Sequence, residues 1–557
     1  MKIPFTWLGF GAQISLHTHQ TTSGVAVINK SAFTSESKTR DEFQFKEGAN
    51  VFTPKDAIEL QRPGVGIAND AGDWVLVSYS QFSFEDKTER EMLAVVRLDS
   101  NTTRPPILEM SAKKAFWINN RTFGHVVDAE EGGLKINTVT VEVSSGNLRL
   151  MEDSVDGTIP TKTASSFRYS SKDGHLVFLD HVYADRNLTA VPDHDKDWET
   201  RGNSALVYDA TPVRFWDTWM GPKEASLFSV ELQVDEQSGR WSMGSDFVNL
   251  LGRKHRFSPT EIMSGYAGTW DISAGSIAYI VPEDIPGEAF PRKNNVYIVD
   301  VAGTKKPRKL TSDAGGAHGP VVSRDGMKVA WIEMDTAYDA SSKTEIIVYD
   351  LKTEKSTVLT SEWDRSAETL AFSEDGQFLY FIAGDHARDK AFIIPIADPS
   401  VKPTKPLTLT RTGSVSRLQP LPNGRLLLTK SSYSSPNDLF VLRGLEAIEA
   451  NFDAMSSLKE EQVTHFTESA LKGKNLSPGE AFWFKGVNNV DVQGWIVKPP
   501  GWKKEQRKKW PIALLIHGGP QSAWSDSWST RWNPNVFAQQ GYFCVLINPT
   551  GSTTFGR

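Results

Sequence analysis

The stretch 510-WPIALLIHGGPQSAW-524 decides how this chain folds near its end. An apolar run of strand length stops at His517, and two glycines and a proline follow it. Around this stretch, the sequence predicts a hairpin over residues 481–499, a helix over 530–540 and a strand over 542–548. Strand, helix and strand of continuous apolar character indicate a parallel α/β sheet whose strands are buried on both faces.

The position of the two glycines after a strand of such a sheet has a chemical explanation. In an α/β-hydrolase, the loop after the third strand brings a backbone N–H into the active site, and glycine permits the close approach to the substrate oxygen. We assign the oxyanion-hole donor to the backbone N–H of Gly519, with Gly518 leaving room for it. Losing one such donor costs on the order of 10²–10³ in rate. His517 is interpreted as a structural residue that shapes the turn.

The middle of the chain repeats with a period of about 50 residues. The stretches 320-PVVSRDGMKVAWIE-333 and 369-TLAFSEDGQFLYFIA-383 share an Asp-Gly turn followed by apolar residues, and Asp325 and Asp375 are 50 positions apart. An Asp-Gly pair supplies the positive φ that a tight hairpin needs. Strands that are apolar on both faces must be covered on both sides, so the pattern predicts a β-propeller. Seven inner strands can be counted, and residues 204–232 leave open an eighth blade or an enlarged third one.

The composition of the chain limits which kinds of partner, binding site and cellular location are expected. A formal net charge of −7 over 557 residues gives no reason to expect a nucleic acid as partner, and the sequence has no apolar window long enough to cross a membrane. The single cysteine, Cys544, lies in an apolar strand pattern and is interpreted as a core residue. No cofactor or metal is expected, because 193-DHDKD-197 is interpreted as solvated charge. The scarcity of cysteine favours a cytoplasmic over a secreted location.

At this point the chain resembles the prolyl oligopeptidase family of serine peptidases. Within it, the sequence is most similar to the acylaminoacyl-peptidase branch and there to the fungal dipeptidyl-peptidase V group. The resemblance is carried by 515-LIHGGPQ-521 and 545-VLINPTGSTTFG-556, with support from 80-SQFSFEDKT-88 and 213-VRFWDTW-219. The branch usually has histidine where this chain has Phe215.

The resemblance implies two domains after an unmatched extension at residues 1–50. It implies a seven-bladed β-propeller over residues 51–445 and the N-terminal part of an α/β-hydrolase domain over residues 446–557. It further implies a serine-type exopeptidase or oligopeptidase that hydrolyses short peptides through an acyl-enzyme. In the family, a G-x-S-x-G elbow with the nucleophilic serine follows the N-P-T-G segment, and no G-x-S-x-G occurs in these 557 residues. We therefore expect a chain that stops before its catalytic triad and is itself inactive.

Other functions stay open on the sequence alone. An esterase of the same fold would use the same oxyanion loop. A non-catalytic propeller that binds or scaffolds, with a vestigial hydrolase segment, would account for the missing nucleophile motif. A sugar- or metal-binding propeller is disfavoured, because no ligand residues cluster in the sequence.

Overall fold

The computed structural model describes residues 46–98, 106–144, 147–209, 213–215, 217–235, 237–252, 270–282, 293–312, 316–334, 342–396, 405–452, 454–505, 509–519 and 521–556. Residues 46–557 form one compact unit. In its described part, seven antiparallel sheets of four or five strands precede one mixed sheet. This is the predicted order of a seven-bladed β-propeller and the first part of an α/β-hydrolase domain. Most of the predicted N-terminal extension lies outside the described residues.

The seven sheets are numbered here as blades 1 to 7 in chain order. Blades 1 and 2 consist of Arg62–Ala68, Trp74–Ser83, Thr88–Arg97 and Ile107–Met110, then Lys113–Trp117, Thr122–Asp128, Leu134–Ser144 and Asn147–Ser154. Blades 3 and 4 consist of Ser165–Ser170, His175–Val182, Glu224–Val234, Trp241–Met243 and Val248–Asn249, then Trp270–Ser273, Ser276–Pro282, Asn294–Asp300 and Arg308–Lys309. Blades 5 to 7 consist of Ala317–Val322, Lys328–Met334, Thr344–Asp350 and Lys355–Val358, then Ala367–Phe372, Phe378–Gly384, Asp389–Pro395 and Leu407–Thr408, then Ser414–Leu421, Arg425–Ser432, Ser435–Arg443 and Lys459–Gln462.

Short helices connect or flank these sheets. Among the described residues, the α-helices are Pro54–Glu59, Val191–Glu199, Leu445–Ala450, Glu468–Leu471 and Pro534–Gln539, and single 3-10 turns occur at Leu188–Ala190, Met455–Ser457 and Val487–Asn489. Within the described residues, none of the helices has the length and apolar character that crossing a bilayer requires.

The repeated Asp-Gly turns have the same hydrogen bonds in successive blades. In blade 5, Asp325 Oδ1 accepts from the Ser323 hydroxyl at 2.6 Å and from a backbone N–H at 2.9 Å. In blade 6, Asp375 Oδ1 accepts from the Ser373 hydroxyl at 2.6 Å and from the equivalent N–H at 2.9 Å. The glycine after each aspartate has a positive φ, as a tight hairpin requires. The sequence period of about 50 residues therefore reflects a hairpin turn that is held by the same hydrogen bonds in both blades.

Each gap between neighbouring blades holds one apolar cluster. Side chains alternate between the two faces of a strand. In blade 5, Val329 and Trp331 pack towards blade 4, whereas Ala330 and Ile332 pack towards blade 6. Seven such clusters fill the gaps between the described blades, including the gap between blade 7 and blade 1. Burial on both faces explains why the middle strands are continuously apolar.

The described residues within 204–232 belong to an enlarged third blade and not to an eighth one. Strand Glu224–Val234 pairs with His175–Val182 inside blade 3. The chain between these strands carries helix Val191–Glu199 and a small two-stranded ladder, Arg214–Phe215 with Thr218–Trp219. The insertion therefore extends blade 3 without adding a blade to the ring.

Each of blades 1 and 7 is built from four consecutive described strands, so neither blade contains a strand from the other end of the propeller. The ring is therefore closed by side-chain contacts between these two blades. The Gln419 side chain of blade 7 pairs with both backbone groups of Ala68 in blade 1. Its Oε1 accepts from the Ala68 N–H at 2.9 Å, and its Nε2 donates to the Ala68 carbonyl at 3.0 Å. The Thr429 hydroxyl accepts from the Gly66 N–H at 3.0 Å. Backbone groups of the first inner strand thus find partners in the last blade.

The last blade continues beyond residue 445, where the sequence had suggested that the repeat ends. Helix Leu445–Ala450 packs Leu445 and Ile448 into the cluster between blades 6 and 7. Strand Lys459–Gln462 then pairs with Ser435–Arg443 as the outermost strand of blade 7. All four residues of this outer strand are exposed, so they carry no apolar pattern that the sequence could reveal.

The mixed sheet contains the predicted hairpin and the predicted parallel pair. Its strands lie in the order Glu480–Lys485, Asp491–Val497, Phe543–Asn548 and Ile512–Ile516. The last two strands run parallel, and helix Pro534–Gln539 lies between them in the chain. The helix is shorter than predicted, because the Asn533 side chain caps it and a proline occupies its first turn.

The prediction that strand Ile512–Ile516 is buried is wrong. This strand lies at the edge of the described sheet, and Ile512, Leu514 and Ile516 are 68%, 56% and 79% exposed. An apolar edge strand with unpaired backbone groups is a template for pairing with another chain. The strand is therefore prone to pair with another chain.

Replacing Gln419 by leucine will loosen the closure of the ring. Two backbone groups of Ala68 lose their partner, and each unsatisfied buried group costs about 1–3 kcal/mol. We expect faster amide hydrogen exchange in strands Arg62–Ala68 and Ser414–Leu421, measured by mass spectrometry, and a lower melting temperature. The control is Gln81→Leu, which removes an exposed hydrogen bond to Glu59. Equal exchange in the two variants would contradict the closing role of Gln419.

Replacing Leu514 by lysine will reduce self-association of the 557-residue chain. A charge on the apolar edge opposes strand pairing between copies. We expect the wild-type chain to show concentration-dependent species in sedimentation velocity and Leu514→Lys to show fewer. The control Met327→Lys alters an exposed turn residue of the propeller and is expected to sediment like the wild type. A wild-type chain that stays monomeric at all concentrations would contradict the idea.

Candidate active-site loop

The glycine loop follows the edge strand Ile512–Ile516 directly. Gly519 has φ +129°, a value that residues with a side chain rarely adopt, and a Cβ atom there would lie 2.5 Å from the backbone nitrogen of Gln521. Glycine is therefore required at position 519. At Gly518, in contrast, a Cβ atom would meet no described atom within 4 Å. None of the described residues accepts a hydrogen bond from the Gly519 N–H.

His517 has structural contacts on both ring nitrogens. Its Nδ1 lies 2.8 Å from the carbonyl oxygen of Gly518, and its Nε2 lies 3.0 Å from the Ser552 hydroxyl. The Ser552 hydroxyl itself donates to the carbonyl of Pro549 at 2.7 Å. These contacts tie the glycine loop to the segment after the neighbouring parallel strand, in agreement with the interpretation of His517 as a shaping residue.

Asn548, at the end of strand Phe543–Asn548, fixes the other side of the loop. Its Oδ1 accepts from the Trp524 N–H at 2.7 Å, and its Nδ2 donates to Gln493 Oε1 at 2.6 Å. Asn548 and Gln493 are both almost completely buried. Because parallel strands end at the same edge of a sheet, the loops after residues 516 and 548 meet there, and the Thr553 N–H donates to the Ser522 carbonyl at 3.1 Å.

The propeller holds this region from the opposite side. The connection at Ala387, between two strands of blade 6, is buried, and its N–H donates to the Thr554 hydroxyl at 2.9 Å. The Ala387 carbonyl accepts from the Asp526 N–H at 3.0 Å. The Arg388 guanidinium lies 4.7 Å from the centre of the Trp495 ring, which in turn donates to the Trp524 carbonyl at 2.8 Å. The loop is thus held between its own sheet and blade 6.

Two other reactive-looking features have structural roles. Cys544 is buried, and burial raises the pKa of its thiol to about 12, so it is a poor nucleophile. The acidic stretch around residue 195 lies on helix Val191–Glu199, where Asp195 pairs with Lys223 at 2.8 Å and accepts from the Tyr183 hydroxyl at 2.9 Å. Among the described residues, no group of three or more His, Cys, Asp or Glu is arranged to hold a metal ion.

Asn548, Ser552 and Trp524 were not identified from the sequence as residues that shape the loop. The first two lie in the stretch 545–556, which carried the family resemblance without any role for individual residues. Trp524 stands in the opening stretch of the sequence analysis and was likewise given no role. Their contacts connect segments that are distant in sequence, so spacing alone gave no signal.

The search against protein-family models finds no match. Among curated proteins, the chain is 29% identical over 542 residues to the probable dipeptidyl-peptidase 5 of Aspergillus niger. The aligned part covers 91% of this chain and 69% of that protein. It is 27% identical over 519 residues to the dipeptidyl-peptidase 5 of Schizosaccharomyces pombe, again with 91% and 69% covered.

Among solved structures, the fold is similar to that of an acylaminoacyl peptidase from Pyrococcus horikoshii. The TM-score is 0.64 at 14% sequence identity, over 91% of this chain and 68% of that one. The propeller-then-hydrolase order seen in the strands is therefore shared over nearly the whole chain. The chain is related to the fungal dipeptidyl-peptidases 5 over 91% of its length, and it shares the fold of the acylaminoacyl peptidases.

Proposed function

We propose that this chain supplies the propeller and the oxyanion loop of a serine exopeptidase of the dipeptidyl-peptidase 5 type. Such an enzyme hydrolyses short peptides near their N-terminus through an acyl-enzyme. The observation that carries the proposal is Gly519, whose φ of +129° residues with a side chain rarely adopt and whose N–H donates to none of the described residues. A free, rigidly held N–H after a strand of the hydrolase sheet is suited to an oxyanion.

The contacts around the loop support this role. An oxyanion donor acts well only when it is held in place before the reaction begins. His517, Ser552 and Asn548 tie the loop to the neighbouring strand end, and Ala387 of blade 6 ties it to the propeller. The peptide class is favoured over esters because the fungal proteins to which the chain is similar over 91% of its length are dipeptidyl-peptidases.

A non-catalytic binding propeller is the second candidate. It is favoured by one observation, namely that no G-x-S-x-G motif occurs in the 557 residues. Acyl transfer needs a serine, a base in hydrogen-bond reach and an orienting carboxylate. In this second reading, the glycine loop would keep its shape without a nucleophile beside it.

The deciding experiment uses the gene product purified from its source cells. Its intact mass is measured before and after treatment with a fluorophosphonate, which forms a covalent adduct with an activated serine. The peptidase proposal predicts one adduct and release of dipeptides from the N-terminus of unblocked peptides. Hydrolysis of simple esters but not of peptides would favour the esterase. The absence of both the adduct and any hydrolysis would favour the non-catalytic binding propeller.

In that gene product, replacing Gly519 by alanine will lower kcat by about 10²–10³, the cost of losing one oxyanion donor. The added Cβ would lie 2.5 Å from the Gln521 backbone nitrogen, so the loop must shift. The measurement is steady-state hydrolysis of a dipeptidyl chromogenic amide, with the melting temperature as a check on folding.

Two alanine substitutions calibrate this result. Gly518→Ala is expected to lose less activity than Gly519→Ala, because a Cβ at position 518 meets no described atom within 4 Å. Gly221→Ala, in the blade 3 insertion, is also free of close contacts and is the distant control. A Gly519→Ala variant with the kcat of the Gly221→Ala variant would rule out the oxyanion role.

A further inference from the structure

The first strands of the blades surround the centre of the propeller ring. Those of blades 2 to 7 contact one another in order, and the first strand of blade 7 contacts that of blade 1. Three charged residues lie on these strands in different blades, namely Arg168 in blade 3, Asp271 in blade 4 and Arg417 in blade 7. The fold therefore brings charged groups that are distant in sequence to the middle of the ring.

The Arg417 guanidinium has no hydrogen-bond acceptor and no carboxylate partner among the described residues. Its Nε is shielded from solvent, while the residue as a whole is only partly buried. Other arginines with a buried unpaired nitrogen each have a described partner for another part of the group; they are Arg62, Arg186, Arg201 and Arg388. A guanidinium keeps its proton, so Arg417 is a charge whose N–H groups need acceptors that the described residues do not supply.

Arg168 and Asp271 form an ion pair on the neighbouring inner strands of blades 3 and 4. Arg168 Nη1 lies 2.7 Å from Asp271 Oδ1, and the guanidinium carbon lies 4.4 Å from the centre of the Trp270 ring. Asp271 Oδ2 accepts from the Val322 N–H at 3.0 Å. Both carboxylate oxygens are thus engaged, and the other N–H groups of Arg168 donate to no described residue.

The three groups act on one another across the centre of the ring. Burial lowers the pKa of the Arg417 guanidinium, the charge of Arg168 lowers it further, and the charge of Asp271 raises it. Blade 7 is a neighbour of blades 6 and 1 and not of blades 3 and 4, so this influence passes through the middle of the propeller. Two guanidinium groups share one carboxylate there, which leaves one positive charge uncompensated.

The remaining titratable groups on the inner strands of blades 5 and 6 do not supply the missing negative charge. Burial raises the pKa of Glu368 to about 7 and the charge of Asp389 adds to this, so its carboxyl is stabilised by no described arginine. Burial lowers the pKa of His318 to about 4, so its imidazole is neutral at pH 7. An anion from outside the described chain would balance the two arginines.

We propose that the centre of the propeller binds a small oxyanion, a carboxylate or a phosphate group, through the guanidinium groups of Arg417 and Arg168. A guanidinium presents its N–H groups as a planar fork that matches two oxygens of such a group. A bound oxyanion would connect blade 7 with blade 3. This site lies in the propeller and would be present whether or not the whole protein is a peptidase.

The test is a binding measurement on the 557-residue chain and needs no catalysis. The probes are inorganic phosphate and acetate, each titrated by calorimetry at pH 7.5 in Tris chloride, with the ionic strength held constant so that general salt effects cancel. We expect at least one of the two to bind as a single anion per chain. Binding of phosphate alone would assign a phosphate group, and binding of acetate alone would assign a carboxylate; either result supports the site.

Variants locate the bound anion. Arg417→Gln removes the charge and the fork, and we expect it to weaken binding at least about tenfold, the effect of losing a charge-assisted hydrogen bond. Arg417→Lys keeps the charge without the fork, and we expect an intermediate loss. The matched control is Arg324→Gln, which removes an exposed arginine of blade 5 that pairs with Glu374; it should bind like the wild type. Melting temperatures in chloride check that the variants fold.

Three results would overturn the site. They are the absence of binding for both probes, equal affinity in Arg417→Gln and Arg324→Gln, and an Arg417→Lys variant that binds as tightly as the wild type. None of them bears on the proposed peptidase, because the glycine loop is not altered by these variants. Conversely, a gene product without a fluorophosphonate adduct would leave the anion binding of the propeller unaffected.

Discussion

The packing of each blade against both of its neighbours is the constraint on which this structure depends. A strand such as Lys328–Met334 has apolar side chains on both faces, and each face is buried only if a blade lies on either side. A row of blades would leave two uncovered faces, and a ring leaves none. The first blade must therefore meet the last one. Here the apolar cluster between blades 1 and 7 supplies the burial, and Gln419 with Thr429 supplies the partners for the backbone of the first strand.

The closed ring also gives the hydrolase segment a rigid surface. Ala387 can enter the second domain because the strands on either side of it, Phe378–Gly384 and Asp389–Pro395, are fixed in blade 6 by packing on both faces. Its hydrogen bonds to Thr554 and Asp526 then hold the two segments that flank the glycine loop. The order of the loop is thus set partly by the propeller, which explains why a small strand–helix–strand segment can hold a backbone conformation as restricted as that of Gly519.

The features that were predictable from the sequence are those that depend on local chemistry. Asp325 and Asp375 indicated the blades because a tight turn needs the same residues wherever it occurs, and Gly519 indicated the loop for the same reason. The exposed strand Lys459–Gln462 has no apolar pattern and was missed. The exposure of Ile512–Ile516 was also missed, because an apolar strand has the same sequence pattern whether or not a neighbouring element covers it. Residues that act through contacts between distant segments, such as Gln419 and Asn548, look like ordinary polar residues in the sequence.

The segment after Gly519 ties the glycine loop to the propeller. Its Trp524 is held by Asn548 and Trp495, and the N–H of Trp528 donates to the Ser431 hydroxyl of blade 7 at 3.2 Å. The position of the assigned oxyanion donor is therefore set by the hydrolase sheet and the propeller together, because a shift of either one would pull on the same short segment.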